Sequence, residues 1–326
     1  MGMVNITVIE QNQAHQIEAQ LKGRHMLSLL DFTSEEVLYL IEKAIQMKKD
    51  TKNGSLKKSL AEKTLGMIFE KNSTRTRVSF EVGMTHLGGS AIFMNVKDLQ
   101  LGRGETIHDT AKVLSEFVDG IMIRANSHEE VKELAKHASV PVINGLTDLY
   151  HPCQALADLL TIFEVKGSFK GKKLVYVGDG NNVAHSLVAA AAHVGMNVVI
   201  ATPKGYACNP SVIAKIKRIA EENGSLFQET NDPVTAVKEA DAIYTDVWTS
   251  MGQEDEAAQR LKDFNAFQVN DTLVQHAKKD YMFLHCLPAI RDEEVTASII
   301  DGEHSYVFHQ AGNRLHAQKA VLASLL

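Results

Sequence analysis

The sequence predicts an α/β protein of two domains, each a mostly parallel sheet flanked by helices. Short apolar runs rich in β-branched residues alternate along the chain with segments of helical periodicity, which is typical of parallel sheets. The chain has 326 residues, enough for two domains of ordinary size. No internal repeat or low-complexity linker interrupts the alternation.

The first half of the chain alternates helix and strand signals with clear boundaries. Apolar residues at helical spacing between Val37 and Ile45, preceded by Glu36, predict the first helix. Gly88 ends a later helix, and Pro152 suits the first turn of another. The predicted elements are helix 34–48, strand 64–70, helix 78–87, strand 90–95, helix 106–117, strand 120–124, helix 129–138, strand 140–144 and helix 151–165.

The second half begins after helix 151–165, on or just after which we place the domain junction. Gly195 ends a helix, and the remaining boundaries follow from apolar runs and Pro positions. The opening residues, up to about residue 20, are expected to be a loose extension. The predicted elements are strand 173–177, helix 183–194, strand 197–201, helix 210–223, helix 233–239, strand 242–246, strand 281–285 and helix 314–326.

Composition excludes several classes of function. The formal net charge is −6, which argues against a nucleic acid or an anionic membrane as partner. The 3 cysteines do not form the even, dense set of a disulfide framework, so we expect a reducing compartment. The N-terminus shows no secretory signal, and no apolar run is long enough to span a membrane. We therefore expect a cytoplasmic protein.

A polar motif, Ser73-Thr74-Arg75-Thr76-Arg77, joins a predicted strand to a predicted helix. Such a turn presents backbone N–H groups at the positive end of the helix dipole, where anions bind. Hydroxyl groups and the forked guanidinium of Arg75 add donors, although the Walker signature is absent. We predict a phosphate-binding turn, with Arg77 directed along the helix towards an acid. The alternative is a helix cap followed by solvated arginines.

Further candidates lie at the ends of predicted elements. Arg124 ends a strand, at the edge where ligands bind in open α/β sheets. His151 and Gln154 open a helix three residues apart, so both can face one site, and a His could polarise a carbonyl oxygen. Taken singly, a surface Arg and a packed His are simpler interpretations. A metal site at His151 and Cys153 is disfavoured because no four-ligand spacing is present.

The turn Gly178-Asp179-Gly180-Asn181-Asn182 invites comparison with a dinucleotide-binding turn. The third glycine of that fingerprint is replaced by Val183, and the acid expected about 20 residues further on is missing. A nicotinamide-dependent oxidoreductase is therefore disfavoured, and no cofactor is expected. Asn182 could instead offer its amide to an amino-acid substrate.

Two later strands also end in polar residues. Asp246 ends one strand and is followed by a loop containing Ser250 and Met251. The other strand ends in His285-Cys286-Leu287-Pro288, in which Leu287-Pro288 is a candidate cis peptide. A Cys beside a His suggests a thiol nucleophile, and the alternative is a buried structural Cys.

Together these segments resemble the ornithine carbamoyltransferases, from about Leu27 to the end of the chain. The first two motifs of the set are shared among carbamoyltransferases, and the last two point to ornithine as the acceptor. The matching segments are Phe69-Glu70-Lys71 with Ser73-Thr74-Arg75-Thr76-Arg77, His151-Pro152-Cys153-Gln154, Asp246 with Ser250-Met251-Gly252, and His285-Cys286-Leu287-Pro288.

The resemblance implies a carbamoyl-phosphate-binding domain at 1–155, to which a C-terminal helix at about 312–326 returns, and an ornithine-binding domain at 156–311. It implies an active site in the cleft and an assembly of trimers, with Gln100 supplied across a subunit contact. The implied ligands of carbamoyl phosphate are Ser73, Thr74, Arg75, Thr76, Gln100, Arg124, His151, Gln154, Cys286, Leu287 and Arg314. Those of ornithine are Asn182, Asp246, Ser250 and Met251.

The implied reaction gives citrulline and phosphate and requires neither a metal nor an organic cofactor. We expect Arg75, Arg124 and His151 to hold the carbamoyl oxygen, and Cys286 with Asp246 to orient the amine and carry its proton without a covalent bond. The alternatives are a sister enzyme acting on putrescine, an acylated ornithine or aspartate, the disfavoured oxidoreductase, and a non-catalytic anion-binding protein.

Overall fold

The computed structural model describes residues 11–250 and 252–326, which form two compact units. The first unit contains the chain up to Leu160 together with Asn313–Leu326, and the second is Thr161–Gly312. The divisions between the units fall inside two helices, so each of these helices contributes residues to both units.

The first unit is built on a parallel sheet with the strand order β2-β1-β3-β4. Three short 3-10 helices lie at Leu29–Asp31, Val96–Asp98 and Gln100–Arg103. The other elements are α1 (Gln11–Leu21), α2 (Ser34–Asn53), β1 (Thr64–Phe69), α3 (Thr74–His86), β2 (Ser90–Asn95), α4 (Ile107–Phe117), β3 (Gly120–Arg124), α5 (His128–His137), β4 (Val142–Leu146) and the first part of α6 (Pro152–Lys166).

The second unit is built on a parallel sheet with the strand order β7-β6-β5-β8-β9. Its 3-10 helices are Glu254–Glu256 and Asn265–Phe267. The other elements are β5 (Lys173–Val177), α7 (Asn182–His193), β6 (Asn197–Ala201), α8 (Pro210–Glu222), β7 (Phe227–Thr230), α9 (Pro233–Val237), β8 (Ala242–Thr245), α10 (Ala257–Phe264), α11 (Asp271–Val274), β9 (Met282–His285), α12 (Ala297–Ile300) and the first part of α13 (Val307–Leu325).

The predicted fold class is confirmed, and the reason lies in the central strands. Strands β3 and β8 are buried along their whole length, as parallel strands covered by helices on both faces must be. Their sequences are therefore continuous apolar runs rather than alternating ones. In the described residues no helix is long and apolar enough to cross a membrane.

The order of the strands defines one special position in each sheet. In the first unit β1 has β2 on one side and β3 on the other, and in the second unit β5 lies between β6 and β8. The chain connections leave β1 and β3, and likewise β5 and β8, in opposite directions. A crevice therefore opens at the carboxyl ends of each pair, and ligands of α/β proteins bind in such crevices. The candidate residues after β1, β3, β5 and β8 are thus placed at the switch points of their sheets.

Some predicted boundaries were wrong. Residues 11–21, expected to be part of a loose extension, form α1, because Ile17 and Leu21 are one turn apart and bury together. Residues 1–10 of that extension lie outside the described part of the chain. Strand β7 was missed, since its two central residues are exposed. Helix α3 starts four residues earlier than predicted, which places the polar motif within its first turn.

The end of the chain packs in the first unit, as expected. Helix α13 begins at Val307, earlier than predicted, and residues from Asn313 onwards belong to the first unit. A Cβ atom at Gly83 in α3 would lie 3.5 Å from Leu322 Cδ1, so this glycine allows the two helices to approach closely. The fully buried Lys319 donates a hydrogen bond to Thr51 at the end of α2.

Candidate active site

The first turn of α3 forms one wall of the candidate site in the first unit. Ser73 is the N-cap, and its Oγ accepts a hydrogen bond from the backbone N–H of Thr76 at 3.3 Å. Ser73 Oγ also donates to Thr76 Oγ1 at 3.1 Å, and Thr76 is fully buried. Thr74, the first helical residue, is exposed. These hydrogen bonds fix the geometry of the N-terminus of α3 and place hydroxyl groups beside it. Such an environment favours the binding of an anion.

Arg75 and Arg77 have different environments, although both belong to the motif. Arg77 donates from Nε to Glu81 Oε1 at 3.0 Å, and its guanidinium lies 3.8 Å from the centre of the Phe93 ring. The prediction that Arg77 turns along the helix towards an acid is confirmed. Arg75 instead lies close enough to His151 to lower the pKa of that imidazole.

Arg124, at the carboxyl end of β3, and His151, directly before α6, lie near each other. Arg124 is the last residue of β3, in register with Phe69 of β1, and is 5% exposed. Burial, followed by the positive charges of Arg314, Arg124 and Arg75, holds the pKa of His151 well below its usual 6.5. His151 is therefore neutral at pH 7 and can donate a hydrogen bond without carrying a charge.

Arg314 completes this cluster from α13. Its Nη2 donates to Thr76 Oγ1 at 3.2 Å, and its Nη1 donates to Gln154 Oε1 at 2.9 Å. Gln154 in turn donates from Nε2 to Asp158 Oδ1 at 2.8 Å. The four residues are at most 2% exposed. Asp158 was not among the predicted site residues, because a single acid in a helix carries no signal of a buried partner.

Gln100 lies on a different element from the residues of this cluster. It begins the 3-10 helix Gln100–Arg103 and is exposed. Its expected role across a subunit contact remains a prediction.

In the second unit an acid and a thiol are in direct contact. Asp246 follows β8 and is 6% exposed, and Cys286 follows β9. Cys286 Sγ donates to Asp246 Oδ1 at 3.0 Å, while Asn181 Nδ2 donates to Asp246 Oδ2 at 2.9 Å. Asn181 also caps α7, whose first residue is Asn182. The predicted residues Asp246 and Cys286 are thus in direct contact, and Asn181, which had not been predicted to take part, connects Asp246 to the start of α7 at Asn182.

A buried His–Glu pair shapes the turn that carries Cys286. The N–H of Leu287 donates to His285 Nδ1 at 2.9 Å, so the ring proton is on Nε2, which lies 3.1 Å from Glu294 Oε1. Leu287 has a positive φ of 59°, and the predicted cis bond to Pro288 is present. Asp246, His285 and Cys286 offer possible metal-ligand atoms within 4.8 Å of one another, but both nitrogens of His285 already have protein partners.

Arg260 connects the loop after Asp246 to the turn after β5. Its Nη1 donates to Asp179 Oδ2 at 2.8 Å and to the carbonyl oxygen of Trp248 at 3.0 Å. Burial raises the pKa of Asp179, while the Arg260 charge opposes that shift. Ser250 N–H donates to Gln253 Oε1 at 3.0 Å in the same loop, and Met251 lies outside the described residues. Sequence reasoning missed Arg260, since its partner is 81 residues away.

The turn after β5 does not suit a dinucleotide. A Cβ atom at Gly180 would lie 2.4 Å from the backbone nitrogen of Cys208, so the glycine serves close packing against the chain at residues 206–208. The N–H of Gly180 donates to the carbonyl oxygen of Tyr206 at 2.9 Å. The side chain of Asn181 caps α7 where a pyrophosphate would bind. These contacts agree with the absence of the third glycine.

Family models match both units. Residues 24–164 match the aspartate/ornithine carbamoyltransferase carbamoyl-P binding domain, and residues 170–325 match the Asp/Orn binding domain of the same family. The ornithine carbamoyltransferase of Anoxybacillus flavithermus is 61% identical over 307 residues, which cover 94% of this chain and 98% of that protein.

Solved structures agree with the sequence comparisons. The ornithine carbamoyltransferase of Pyrococcus furiosus superposes with a TM-score of 0.91 at 59% identity, covering 94% of this chain and 97% of that one. The anabolic ornithine carbamoyltransferase of Campylobacter jejuni superposes with a TM-score of 0.87 at 42% identity, covering 92% of this chain and 97% of that one.

Proposed function

The chain belongs to the aspartate/ornithine carbamoyltransferase family, and from that membership we infer how its residues carry out the reaction. The enzyme transfers the carbamoyl group of carbamoyl phosphate to the δ-amine of L-ornithine, giving L-citrulline and phosphate. The roles of single residues, the assembly, the location and the direction of flux are proposals supported by the geometry.

The proposed carbamoyl phosphate site is the positive cluster of the first unit. Its proposed ligands there are Ser73, Thr74, Arg75, Thr76, Arg124, His151, Gln154 and Arg314. The observation that carries this proposal is the buried Arg314, which donates to Thr76 Oγ1 at 3.2 Å and to Gln154 Oε1 at 2.9 Å and so joins the two predicted motifs. The lowered pKa of His151, to which Arg314, Arg124 and Arg75 contribute, agrees with a cluster of positive charge there. Like charges at such a site are favourable only when an anion binds among them.

We assign separate tasks within that cluster. Arg75, Arg124 and His151 hold the carbamoyl oxygen as it gains negative charge, and the hydroxyl groups with Arg314 hold the departing phosphate. Since His151 is neutral, it acts as a fixed hydrogen-bond donor rather than as an acid that loses its proton. Catalysis then depends chiefly on position and fixed charge.

The proposed ornithine ligands are Asn182, Asp246, Ser250 and Met251, with Cys286 beside them. Ornithine carries a cationic amine whose solution pKa resembles that of Lys, about 10.4, and the amine must lose a proton before it attacks. Asp246 offers a negative charge to the cationic form, and Cys286, which donates to that carboxylate, is placed to relay the proton.

The reaction balances without a covalent enzyme intermediate. The neutral δ-nitrogen forms a bond to the carbamoyl carbon, and the bond from that carbon to the phosphate oxygen breaks. Phosphate leaves with the electron pair of that bond, while the amine proton passes through the Cys286–Asp246 pair to solvent or to phosphate. Gln100 and the backbone of Cys286 and Leu287 are the remaining proposed ligands of carbamoyl phosphate.

We propose a homotrimer, or a multiple of it, in the cytoplasm. Strand β2 is an edge strand, and its Ile92 is 50% exposed, while Phe117 of α4 is 74% exposed. Apolar residues on an edge favour covering by another copy of the chain.

Cys153, Cys208 and Cys286 form no disulfide, which suits a reducing compartment. Two relatives named anabolic support the biosynthetic direction.

The substrate assignment is tested by a citrulline assay with ornithine, putrescine and N-acetylornithine compared side by side in the presence of carbamoyl phosphate. Ornithine should be the preferred acceptor because Asn182, Ser250 and Met251 are the proposed ligands of its α-amino and α-carboxylate groups. Putrescine lacks both groups, and the α-amine of N-acetylornithine is blocked. Faster turnover with putrescine would contradict the assignment.

The proposed assembly is tested separately. Light scattering of the same preparation should give a mass of three chains or a multiple of three.

A further inference from the structure

Asp158 is a fully buried acid that lies one helical turn after Gln154 on α6. An ionised carboxylate in the interior is unfavourable unless it is paired and hydrogen-bonded. Its Oδ1 accepts a hydrogen bond from Gln154 Nε2 at 2.8 Å. The roles assigned above to the first unit do not use this acid, so its presence in the interior needs a separate explanation.

The two neighbours of Gln154 determine which way its amide faces. Arg314 can only donate, and its Nη1 donates to Gln154 Oε1 at 2.9 Å. An ionised Asp158 can only accept, and it accepts from Nε2. Rotating the amide by half a turn would place N–H groups against a guanidinium and an oxygen against a carboxylate. Both hydrogen bonds would be lost and replaced by repulsion, so a single orientation is stable.

The fixed orientation gives the site an acceptor at Gln154. A carbonyl oxygen has two lone pairs, and Arg314 occupies one of them at Oε1. The other can accept a hydrogen bond from a ligand bound beside Arg314 and Thr76. Carbamoyl phosphate carries an NH2 group that can donate there. An acyl phosphate with a methyl group in its place, such as acetyl phosphate, would leave the oxygen without a partner in a buried site, which is unfavourable.

The orientation also distinguishes the two ends of the carbamoyl group. Its oxygen and its NH2 group are similar in size, so shape alone would allow either to face Gln154. The donors Arg75, Arg124 and His151 favour the oxygen, and the acceptor at Gln154 favours the NH2 group. Only one placement satisfies both sides, and it is the one in which developing negative charge meets the arginines.

We propose that Asp158 is a specificity-determining positioning residue, which fixes the Gln154 amide with its oxygen towards the ligand and so makes the site select carbamoyl phosphate over acyl phosphates that lack an N–H donor. This inference rests on the proposed function of the first unit. Asp158 itself does not touch the ligand and acts through Gln154.

The test compares two ligands in the variant Asp158→Asn. An asparagine can donate or accept at this position, so the amide of Gln154 is no longer held in one orientation. The KM for carbamoyl phosphate should rise about tenfold, as expected for one lost hydrogen bond, while the inhibition constants of acetyl phosphate and inorganic phosphate stay within about twofold. The measured quantity is the ratio of the acetyl phosphate inhibition constant to the carbamoyl phosphate KM, which should fall about tenfold.

Two further variants separate positioning from general damage. In a Gln154→Leu background, Asp158→Asn should not change the ratio again, because the group through which Asp158 acts has been removed. Asp119→Asn is a matched control: it makes the same chemical change at an acid that holds Lys63 and the backbone of Thr64, and the ratio should not move.

Several outcomes would overturn the inference. If all three ligands weaken in parallel in Asp158→Asn, the acid has only a structural role. If that variant fails to fold, an unchanged ratio in Gln154→Leu still overturns the inference, because it removes the acceptor on which the inference depends. Wild-type protein that makes no citrulline would instead contradict the proposed function, so the two failures are distinguishable.

Discussion

Most candidate residues of the first unit lie on helices, whereas those of the second unit lie mainly on turns. In the first unit Thr76, Gln154 and Arg314 belong to α3, α6 and α13 and are joined by buried hydrogen bonds. In the second unit Asp246 and Cys286 follow the last residues of β8 and β9, and Ser250 belongs to a loop. The sign of the charge also differs, since arginines dominate the first group and acids the second.

The difference follows from what each unit has to bind. A phosphorylated ligand is anionic and must be held while its charge is redistributed, so rigid donors are needed whose positions do not change during the reaction. The amine has to be received as a cation, to lose a proton and to leave as part of a larger product. An acid and a thiol on turns, supported by Arg260 and the His285–Glu294 pair, are the groups that we propose for that task. Each sheet has a switch point at which a ligand can bind. The side chains around that point determine which ligand binds there.

The largest expected effect is that of Arg75→Ala, which tests whether the charge of the first unit is essential. Removing a fixed donor to the carbamoyl oxygen should lower kcat/KM for carbamoyl phosphate by roughly 100- to 1,000-fold, with kcat and affinity both reduced. Initial rates at varied carbamoyl phosphate and saturating ornithine measure this effect.

Arg77→Ala is the matched control for that measurement. The guanidinium of Arg77 is engaged by Glu81 and by the ring of Phe93, so its loss should change kcat/KM by less than about fivefold. Equal losses in the two variants would mean that the motif acts only through the stability of α3, and the contrast between the units would then lose its electrostatic basis.

A smaller effect is expected for Cys286→Ala, which tests whether the second unit can be impaired separately. Without the thiol, Asp246 loses a donor and the amine loses its relay, so kcat/KM for ornithine should fall about 10- to 100-fold. The affinity for carbamoyl phosphate, measured by calorimetry in the absence of ornithine, should change little.

The control for this variant is Cys208→Ala, which removes the buried thiol of the same unit. Burial raises the pKa of Cys208, so it remains a neutral thiol. Its substitution should leave both kinetic constants unchanged. A carbamoylated Cys286 detected by mass spectrometry during turnover would contradict the non-covalent mechanism.

Much of the fold could be predicted because buried parallel strands are recognisable locally. The predicted bounds of β2, β3, β5 and β6 agree with the structure, since each is a short apolar run bounded by glycine or polar residues. Strand β7 and most of α1 could not be predicted, because they owe their structure to neighbours in space. In α1 that neighbour is α2, whose Lys43 pairs with Glu18 at 2.7 Å.

The candidate site was only partly predictable for a related reason. Arg75, His151 and Cys286 lie in motifs at the ends of elements, where the sequence indicates their chemistry. Asp158 and Arg260 lie inside helices. The partner of Arg260 is 81 residues away, and Asp158 gains its meaning through Gln154, which is bound by Arg314 160 residues away. A buried acid or arginine in a helix looks the same in sequence as a solvated one. Such supporting residues become visible only when the distances are known.

The smallest expected effect is that of Glu130→Gln. This variant tests whether an acid at the periphery of the first unit lowers the stability of the folded protein rather than raising it. Burial, followed by the charge of Glu70 and a hydrogen bond with it, raises the pKa of Glu130. Glu70 accepts hydrogen bonds from the backbone and side chain of Asn126 at 2.6 and 2.9 Å. A raised pKa means that this pair contributes stability below the unfolded value of 4.5 and loses it as pH rises through the folded value.

Two charged carboxyl groups so close together repel each other, so Glu130→Gln should raise the free energy of unfolding at pH 7 by roughly a few tenths of a kcal/mol. The gain should disappear near pH 4, where the wild-type residue carries its proton and can donate to Glu70. Glu129→Gln is the opposite control, because a hydrogen bond with Lys132 lowers the pKa of Glu129 and its loss should be unfavourable at pH 7. Urea unfolding of the three proteins at pH 7 and pH 4 measures the differences. A gain of equal size at both pH values would show that the charges of Glu130 and Glu70 do not repel each other. The first unit would then tolerate acids as readily as the second unit does.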